Sequence, residues 1–309
     1  MVRKLITALA FLSLLKHNGH IEEVTMNKLS IEKRAQILGM MVEGVSIRSI
    51  SRLTGASKNT IVKLLADAGE AFASYQDKTL RNLPCKRIQC DEIWSFIYAK
   101  AKNVPTAKAA PEGAGDAWTW TAICADTKLI ASWMVGPRDG GIAYDFMQDL
   151  AGRLANRVQL TTDGHKAYLD AVEGAFGADI DYAQLVKLYG NTESGSPERK
   201  YSPNVCLGAR PATVTGNPEM EYVSTSYVER QNLSMRMSMR RFTRLTNAFS
   251  KKIENHVHAV AIYFMYYNFA RIHQTLRVTP AMAARVTDKL MTLEEMVTIV
   301  DQYHAEKSN

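Results

Sequence analysis

The chain has 309 residues, of which 46% are hydrophobic, and this composition excludes a disordered or fibrous protein. Its formal net charge of +7 indicates an anionic partner, of which nucleic acid is the commonest. No paired C-x-x-C spacing occurs, so neither a zinc site nor a disulfide framework is predicted, and a cytoplasmic protein is the simpler interpretation. The cysteines are Cys85, Cys90, Cys124 and Cys206.

Residues 1–25 form an N-terminal extension with an ambiguous pattern. Arg3 and Lys4 precede an apolar run from Leu5 to Leu15, which imitates a secretory signal. The run is too short to span a bilayer. An ordinary helix, or a start codon upstream of a natural start at Met26, is the preferred interpretation.

Residues 26–82 are predicted to form a helix-turn-helix DNA-binding domain. Three helical patterns follow one another, each beginning at a serine suited to cap a helix: Ser30, Ser46 and Ser57. The short "TGAS" turn lets the second and third helices cross steeply, which makes the third the recognition helix. Its exposed start offers the DNA-contacting candidates Lys58, Asn59, Thr60 and Lys63. A plain three-helix bundle is the alternative.

Residues 83–270 are predicted to form an α/β catalytic domain. The segments "RIQCDEIWSFIYAK", "AWTWTAICAD" and "LIASWMVGPR" are rich in β-branched and aromatic residues and predict three antiparallel strands. A helix over "GIAYDFMQDLAGRLA", a short strand "RVQLTTDG", a second helix and a strand near Ile180 to Val186 follow. That order, with acids at strand ends, is expected of an RNase H-like sheet of the retroviral-integrase type.

The rest of the chain is predicted to be a loop followed by helices. Residues 190–222 are rich in Gly, Pro, Ser and Asn, which predicts a long loop. A single helix is predicted over "YVERQNLSMRMSMRRFTRL", in which one apolar stripe contains Val228, Met235, Met239 and Phe242. Residues 271–309 form a C-terminal helical segment with two short helices.

Three acids stand where a metal site can form. Asp91 lies in the first strand, Asp163 ends the fourth, and Glu229 lies in the first turns of the helix after the loop. Such positions can converge at one sheet edge, and three carboxylates there suit Mg²⁺. Asp91 and Glu92 alternate along a strand, so only one of them is expected to join the site. Asp126, after the second strand, is the acid most easily mistaken for a metal ligand.

Several of these segments resemble a known family in combination. "QCDEIWSF", "LTTDGHKAYL", "STSYVERQNLSMRMSMRRFTRLTNAFSKK" and "YYNFARIHQTLRVTPAMAA" look like a DDE transposase of bacterial insertion sequences, in particular the insertion sequence one family. The resemblance covers roughly residues 27–284. It implies that Asp91, Asp163 and Glu229 are the catalytic triad and bind two Mg²⁺ ions, with Mn²⁺ as an alternative. The zinc finger of the best-known members has no counterpart in this sequence.

The resemblance also implies what the protein acts on. It would cut the terminal inverted repeats of an element and join the freed 3′ hydroxyl to target DNA, both double-stranded, without a covalent enzyme intermediate. A homo-oligomer in the synaptic complex, a nucleoid location and no membrane partner are expected. Further DNA contacts are assigned to Arg236, Arg240, Arg271 and His273. The alternative is a helix-turn-helix regulator without nuclease activity, for which metal is irrelevant.

Overall fold

The computed structural model describes residues 28–190, 206–243 and 246–308. The N-terminal extension and residues 191–205 of the predicted loop therefore lie outside the described residues. Within the described ranges, no helix combines the length and the apolar character needed to cross a bilayer.

Three helices open the described chain where the sequence predicts them. They are α1 (Ile31–Val42), α2 (Ile47–Thr54) and α3 (Lys58–Thr79). All three predicted serine caps are confirmed, because each hydroxyl accepts a hydrogen bond from a backbone N–H in the first turn of its helix. Gly55 ends α2 with a φ of 71°, a left-handed conformation that glycine adopts without strain.

Six strands form one mixed sheet in the order β3-β2-β1-β4-β5-β6. The strands are β1 (Arg87–Ile97), β2 (Gly115–Cys124), β3 (Ile130–Gly136), β4 (Gln159–Asp163), β5 (Asp181–Tyr189) and β6 (Cys206–Thr215). β1 pairs antiparallel with β2 and parallel with β4; β5 is parallel to β4. The predicted order of three antiparallel strands, helix, strand, helix and strand is confirmed.

β6 was not predicted, and the interpretation of residues 190–222 as one long loop is wrong for Cys206–Thr215. This strand contains Gly208 and Pro211, which argue against a strand in a sequence pattern. Among the strands of the described residues it pairs with β5 alone, at the edge of the sheet. An edge strand tolerates a proline because the backbone groups along its outer side form no hydrogen bonds to a neighbouring strand.

Helices cover both faces of the sheet. On one face lie α4 (Gly140–Ala151) and α5 (Ala167–Phe176), which share a buried cluster with Trp120. On the other face lie α6 (Ser226–Ser238) and α7 (Ile253–Met265), which share a second cluster with Ile93. Since alternate residues of a strand point to opposite faces, β1 contributes to both cores.

The predicted single helix after Ser224 is interrupted. α6 ends at Ser238, Met239 is extended with φ −124° and ψ 99°, and Arg240–Phe242 forms a short 3₁₀ turn. The apolar stripe is nevertheless confirmed, because its four residues are buried in one cluster. A Cβ on Gly44 would lie 2.6 Å from the carbonyl oxygen of Ser238, so the α1–α2 turn closely abuts the end of α6. Tertiary packing therefore overrides the helical periodicity here.

The C-terminal helices pack back onto the start of the chain. α7 continues into a π-helix at Tyr266–Ala270, followed by α8 (Pro280–Ala283) and α9 (Leu293–Ser308). α9 contacts α1 and α3, and one hydrophobic cluster extends from these helices to the α4–α5 face of the sheet. The first helices and the sheet thus share a core.

Candidate metal centre

Three carboxylates meet where strand β4 ends beside β1. The pairing between the two strands stops at Cys90 and Thr162, while β1 continues to Ile97. Each of Asp91, Glu92 and Asp163 offers a carboxylate oxygen, and these oxygens lie within 4.8 Å of one another. The structure therefore brings together Asp91 and Asp163, two of the three acids predicted from the sequence.

Glu92 lies in this cluster beside Asp91, whereas the sequence pattern predicts that only one of the two adjacent acids joins the site. The two side chains do start on opposite faces. Asp91 Oδ2 accepts a hydrogen bond of 2.9 Å from Asn232 on α6, whereas Glu92 lies beside Tyr168 on α5. Both nevertheless reach Asp163, because β4 provides no paired residue beyond Thr162.

Burial and mutual repulsion make this cluster a poor place for uncompensated negative charge. Burial, followed by the charge of Asp163, raises the pKa of Glu92 to about 7. The same two causes, in the same order, raise the pKa of Asp91 to about 6. A cation at this position would relieve the repulsion and favour the ionised carboxylates.

The donor atoms fit a hard divalent cation. The Glu92 side chain is 1% exposed, and its Oε1 has no hydrogen bond of ordinary geometry in the described part of the chain. Buried Oδ1 of Asn232 also has no such partner there. Buried oxygen acceptors without partners are costly, and Mg²⁺ prefers carboxylate and carbonyl oxygens. The residues present are therefore suited to hold Mg²⁺ or Mn²⁺.

Two cationic side chains flank the acids. Arg138 donates hydrogen bonds to Glu92 Oε2 at 3.1 Å and to Asp163 Oδ2 at 3.4 Å. On the opposite side, Lys187 of β5 donates to Glu229 Oε1 at 2.7 Å. The acids are thus partly neutralised from two directions.

Glu229 adjoins the carboxylate cluster without belonging to it. Its carboxylate contacts Lys187 and the hydroxyl of Thr225. Its negative charge contributes to the raised pKa of Asp91, and Lys187 opposes that effect. Glu229 therefore lies close enough to Asp91 for electrostatic interaction. Asp126, the acid most easily mistaken for a ligand, is ion-paired with Arg87.

Sequence reasoning missed three polar residues around the acids. Asn232 lies three residues after Glu229, so helical spacing alone could have placed both on one face of α6. Arg138 and Lys187 come from a loop and from a strand distant in sequence, and no spacing rule connects them with Asp91.

The predicted DNA-contacting residues lie in several places. Lys58, Asn59, Thr60 and Lys63 are all exposed at the start of α3. Lys63 also forms an ion pair of 2.5 Å with Asp67 one turn further on. This exposed surface is accessible to a large polar partner.

The predicted arginines beyond Glu229 are arranged differently from expectation. Arg236 remains on α6, but Arg240 lies in the 3₁₀ turn after the helix ends, so the two do not form one continuous helical row below Glu229. Arg271 is exposed, and His273 is half buried. Burial and the charges of Lys128 and Arg271 lower the pKa of His273.

The charge of Lys128 acts on His273, so the position of Lys128 indicates where His273 lies. Lys128 belongs to the β2–β3 turn, beside the start of β1. Cys124, next to this turn, pairs with Ile88, whereas the acids begin three residues further along β1. Arg271 and His273 are thus not brought into the carboxylate cluster.

Comparisons with known proteins give little. No family model and no curated protein matches the chain. Among solved structures, it is similar to the piggyBac transposase in a synaptic complex with hairpin DNA, with 10% sequence identity and a TM-score of 0.38. The match covers 94% of this chain and 74% of that chain. Similarity this remote carries no argument about function.

Proposed function

We propose that the protein is a metal-dependent DNA transposase of the DDE type with an RNase H-like core. The observation that carries this proposal is the cluster of Asp91, Glu92 and Asp163, whose oxygens lie within 4.8 Å at the end of β4. Such a cluster, in which the buried Glu92 Oε1 has no hydrogen bond of ordinary geometry within the described residues, is suited to bind the cations used in phosphodiester chemistry.

Each acid has a proposed role. Asp91, Glu92 and Asp163 would hold one ion, and Glu229 would complete a second site on the Asp91 side. The chemistry that bound Mg²⁺ or Mn²⁺ would supply is activation of a water or of the 3′ hydroxyl of the DNA, and stabilisation of the leaving oxygen. Asn232 orients the Asp91 carboxylate through its 2.9 Å hydrogen bond. The buried setting excludes bulk water from Glu92.

We assign DNA binding to two groups of polar and basic side chains. We infer that α2 and α3 act as a helix-turn-helix, with Lys58, Asn59, Thr60 and Lys63 reaching bases or phosphates. Arg236, Arg240, Arg271 and His273 would contact phosphates elsewhere on the duplex. The proposed DNA is the pair of terminal inverted repeats and a target, which requires two copies of the protein in a synaptic complex.

The proposal is tested with duplexes that cover the DNA on both sides of the coding sequence. Asp91→Ala, Asp163→Ala and Glu229→Ala should abolish Mg²⁺-dependent strand cleavage and 3′-end joining, yet leave duplex binding within about threefold of the wild type. Asp181→Asn is the control, because this acid lies on the same sheet but pairs with Arg157. Full cleavage by all three alanine variants, or DNA binding without any cleavage by the wild type, would refute a transposase and favour a regulator.

A further inference from the structure

Arg138 occupies a fixed position beside the carboxylate cluster. It lies in the loop between β3 and α4, and the backbone on both sides is anchored. The carbonyl of Pro137 accepts a hydrogen bond of 3.2 Å from Trp120 Nε1. The Asp139 side chain caps α4 by accepting one of 3.0 Å from the N–H of Ile142. The guanidinium group is therefore directed at the acids by a constrained loop.

The guanidinium binds one oxygen of each of two carboxylates in the cluster. Its two hydrogen bonds go to Glu92 Oε2 and Asp163 Oδ2, so it bridges an acid of β1 and an acid of β4. A single positive charge compensates a cluster of three carboxylates only in part. A divalent cation at the same oxygens would compensate it better and would have to displace the guanidinium.

Displacement is sterically feasible. The Arg138 side chain is 35% exposed, and its guanidinium carbon lies 5.0 Å from the centre of the Trp118 ring. An aromatic face is a favourable resting place for a guanidinium group that has lost its carboxylate partners. The side chain can thus leave the acids without losing all of its contacts.

We propose that Arg138 is a displaceable latch, which holds Glu92 and Asp163 together before the divalent metal binds and competes with the metal for their oxygens. Arg138 is a positioning residue that regulates loading of the metal site. The inference rests on the proposed function, because it requires the carboxylate cluster to be a metal site.

The test compares metal binding by the full-length wild type, Arg138→Gln and Arg138→Lys in the absence of DNA. Calorimetric titration with Mn²⁺ and the Mn²⁺-induced rise in melting temperature are the two readouts. Arg138→Gln should bind Mn²⁺ about tenfold more tightly and show a larger rise in melting temperature, because nothing competes for the carboxylates. Arg138→Lys should restore part of the competition through its point charge.

Arg87→Gln is a matched control. Arg87 is also an ion-paired arginine above an aromatic ring, 4.2 Å from the Tyr222 centroid, and its side chain is 32% exposed. Its partner is Asp126, outside the cluster, so Mn²⁺ affinity should remain that of the wild type.

The outcomes separate the two proposals. Equal or weaker Mn²⁺ binding by Arg138→Gln, when the wild type binds, overturns the latch and leaves the metal site standing. The absence of Mn²⁺ binding in both proteins overturns the metal site, and with it the proposed function and the latch. If Arg87→Gln also bound Mn²⁺ more tightly, the gain in affinity of Arg138→Gln would be explained by the loss of a positive surface charge. That result would also overturn the latch.

Discussion

Glu92 and Glu229 lie in different surroundings although both adjoin Asp91. Glu92 is buried among carboxylates, whereas Glu229 is paired with Lys187. We expect Glu92→Gln to weaken Mn²⁺ binding by about tenfold or more, because it removes a charged ligand from the cluster. Glu229→Gln should weaken binding of the first ion by less than about threefold while abolishing DNA cleavage.

Titration calorimetry and a cleavage assay on the same preparations check both parts. Wild-type Mn²⁺ affinity in Glu92→Gln would remove Glu92 from the metal site and return the third position to Glu229 alone.

His256 is a residue whose protonation should affect stability rather than catalysis. It is fully buried and contacts Ser95 at 3.3 Å and Ser250 at 3.0 Å. Burial, with a smaller effect of the Arg241 charge, lowers its pKa to about 3. Between that value and the ordinary value near 6.5, the unfolded state binds more protons, so stability falls as the pH decreases from about 6.5.

The expected contribution is a slope of up to about 1.4 kcal/mol per pH unit in the free energy of unfolding. His256→Gln should remove that slope while keeping a polar side chain of similar volume. Urea denaturation of both proteins at pH 7, 6 and 5 measures the slope of the free energy of unfolding against pH. If the variant and the wild type lose stability in parallel below pH 6.5, His256 is not the responsible group.

The sequence predicts some single residues of the site and not others, for identifiable reasons. Asp91 within the first strand and Asp163 at the end of the fourth stand at positions that can converge at one edge of a sheet, and they do so in the structure. Alternation along the strand predicts only one of Asp91 and Glu92 at the site; the two side chains do start on opposite faces, and both come near Asp163 where the β1–β4 pairing stops. The approach of Arg138 depends on a loop whose path no periodicity encodes.

At the scale of elements, local signals predict local structure. A serine hydroxyl followed by a helical pattern identifies α1, α2 and α3, because capping involves only neighbouring residues. β6 and the end of α6 depend instead on distant partners: β5 for the former and the α1–α2 turn for the latter. Those two elements are also the ones that the sequence pattern misassigns.

The crossing of α3 and α7 depends on one glycine. A Cβ at Gly69 would lie 2.3 Å from the Cβ of His258, far inside van der Waals contact. Gly69→Ala should therefore destabilise the fold by about 2–3 kcal/mol, because the two helices must move apart. Gly140→Ala is the control, since its Cβ meets nothing within 4 Å and it also lies in a helix.

Urea denaturation of both variants makes the comparison. If the Gly69→Ala protein were as stable as the Gly140→Ala protein, the two helices would be packed less tightly than the 2.3 Å approach to His258 implies.

At the scale of the whole molecule, the two ends of the described chain are joined. α9 packs on α1 and α3, and Met296, Val297 and Val300 are buried in the cluster that also contains Phe72 and Trp120. Helices expected to bind DNA are thus built into the same core as the sheet that carries the acids.

The ion pair between Arg34 and Asp301 connects these ends and gives the last prediction. Arg34 is nearly buried, and it contacts both carboxylate oxygens of Asp301, at 2.5 and 2.9 Å. Arg34→Met should lower the free energy of unfolding by about 2 kcal/mol, because it leaves a half-buried carboxylate with only the exposed Lys28. Lys289→Met, which breaks an exposed pair with Glu295, is the control and should leave the free energy of unfolding nearly unchanged.

The wild type and Arg34→Met should differ in their free energy of unfolding, and the pH dependence of this difference distinguishes an ionic contribution from one of packing alone. Hydrogen bonding to Arg34 is the largest cause that holds the pKa of Asp301 below its ordinary value. The stabilisation is therefore fully present above about pH 4 and is lost as the pH falls through the lowered pKa. Urea denaturation of the wild type and Arg34→Met at pH 7 and pH 3 should show the gap closing at the lower pH. A gap that stays constant would mean that Arg34 joins the two ends through the packing of its aliphatic stem.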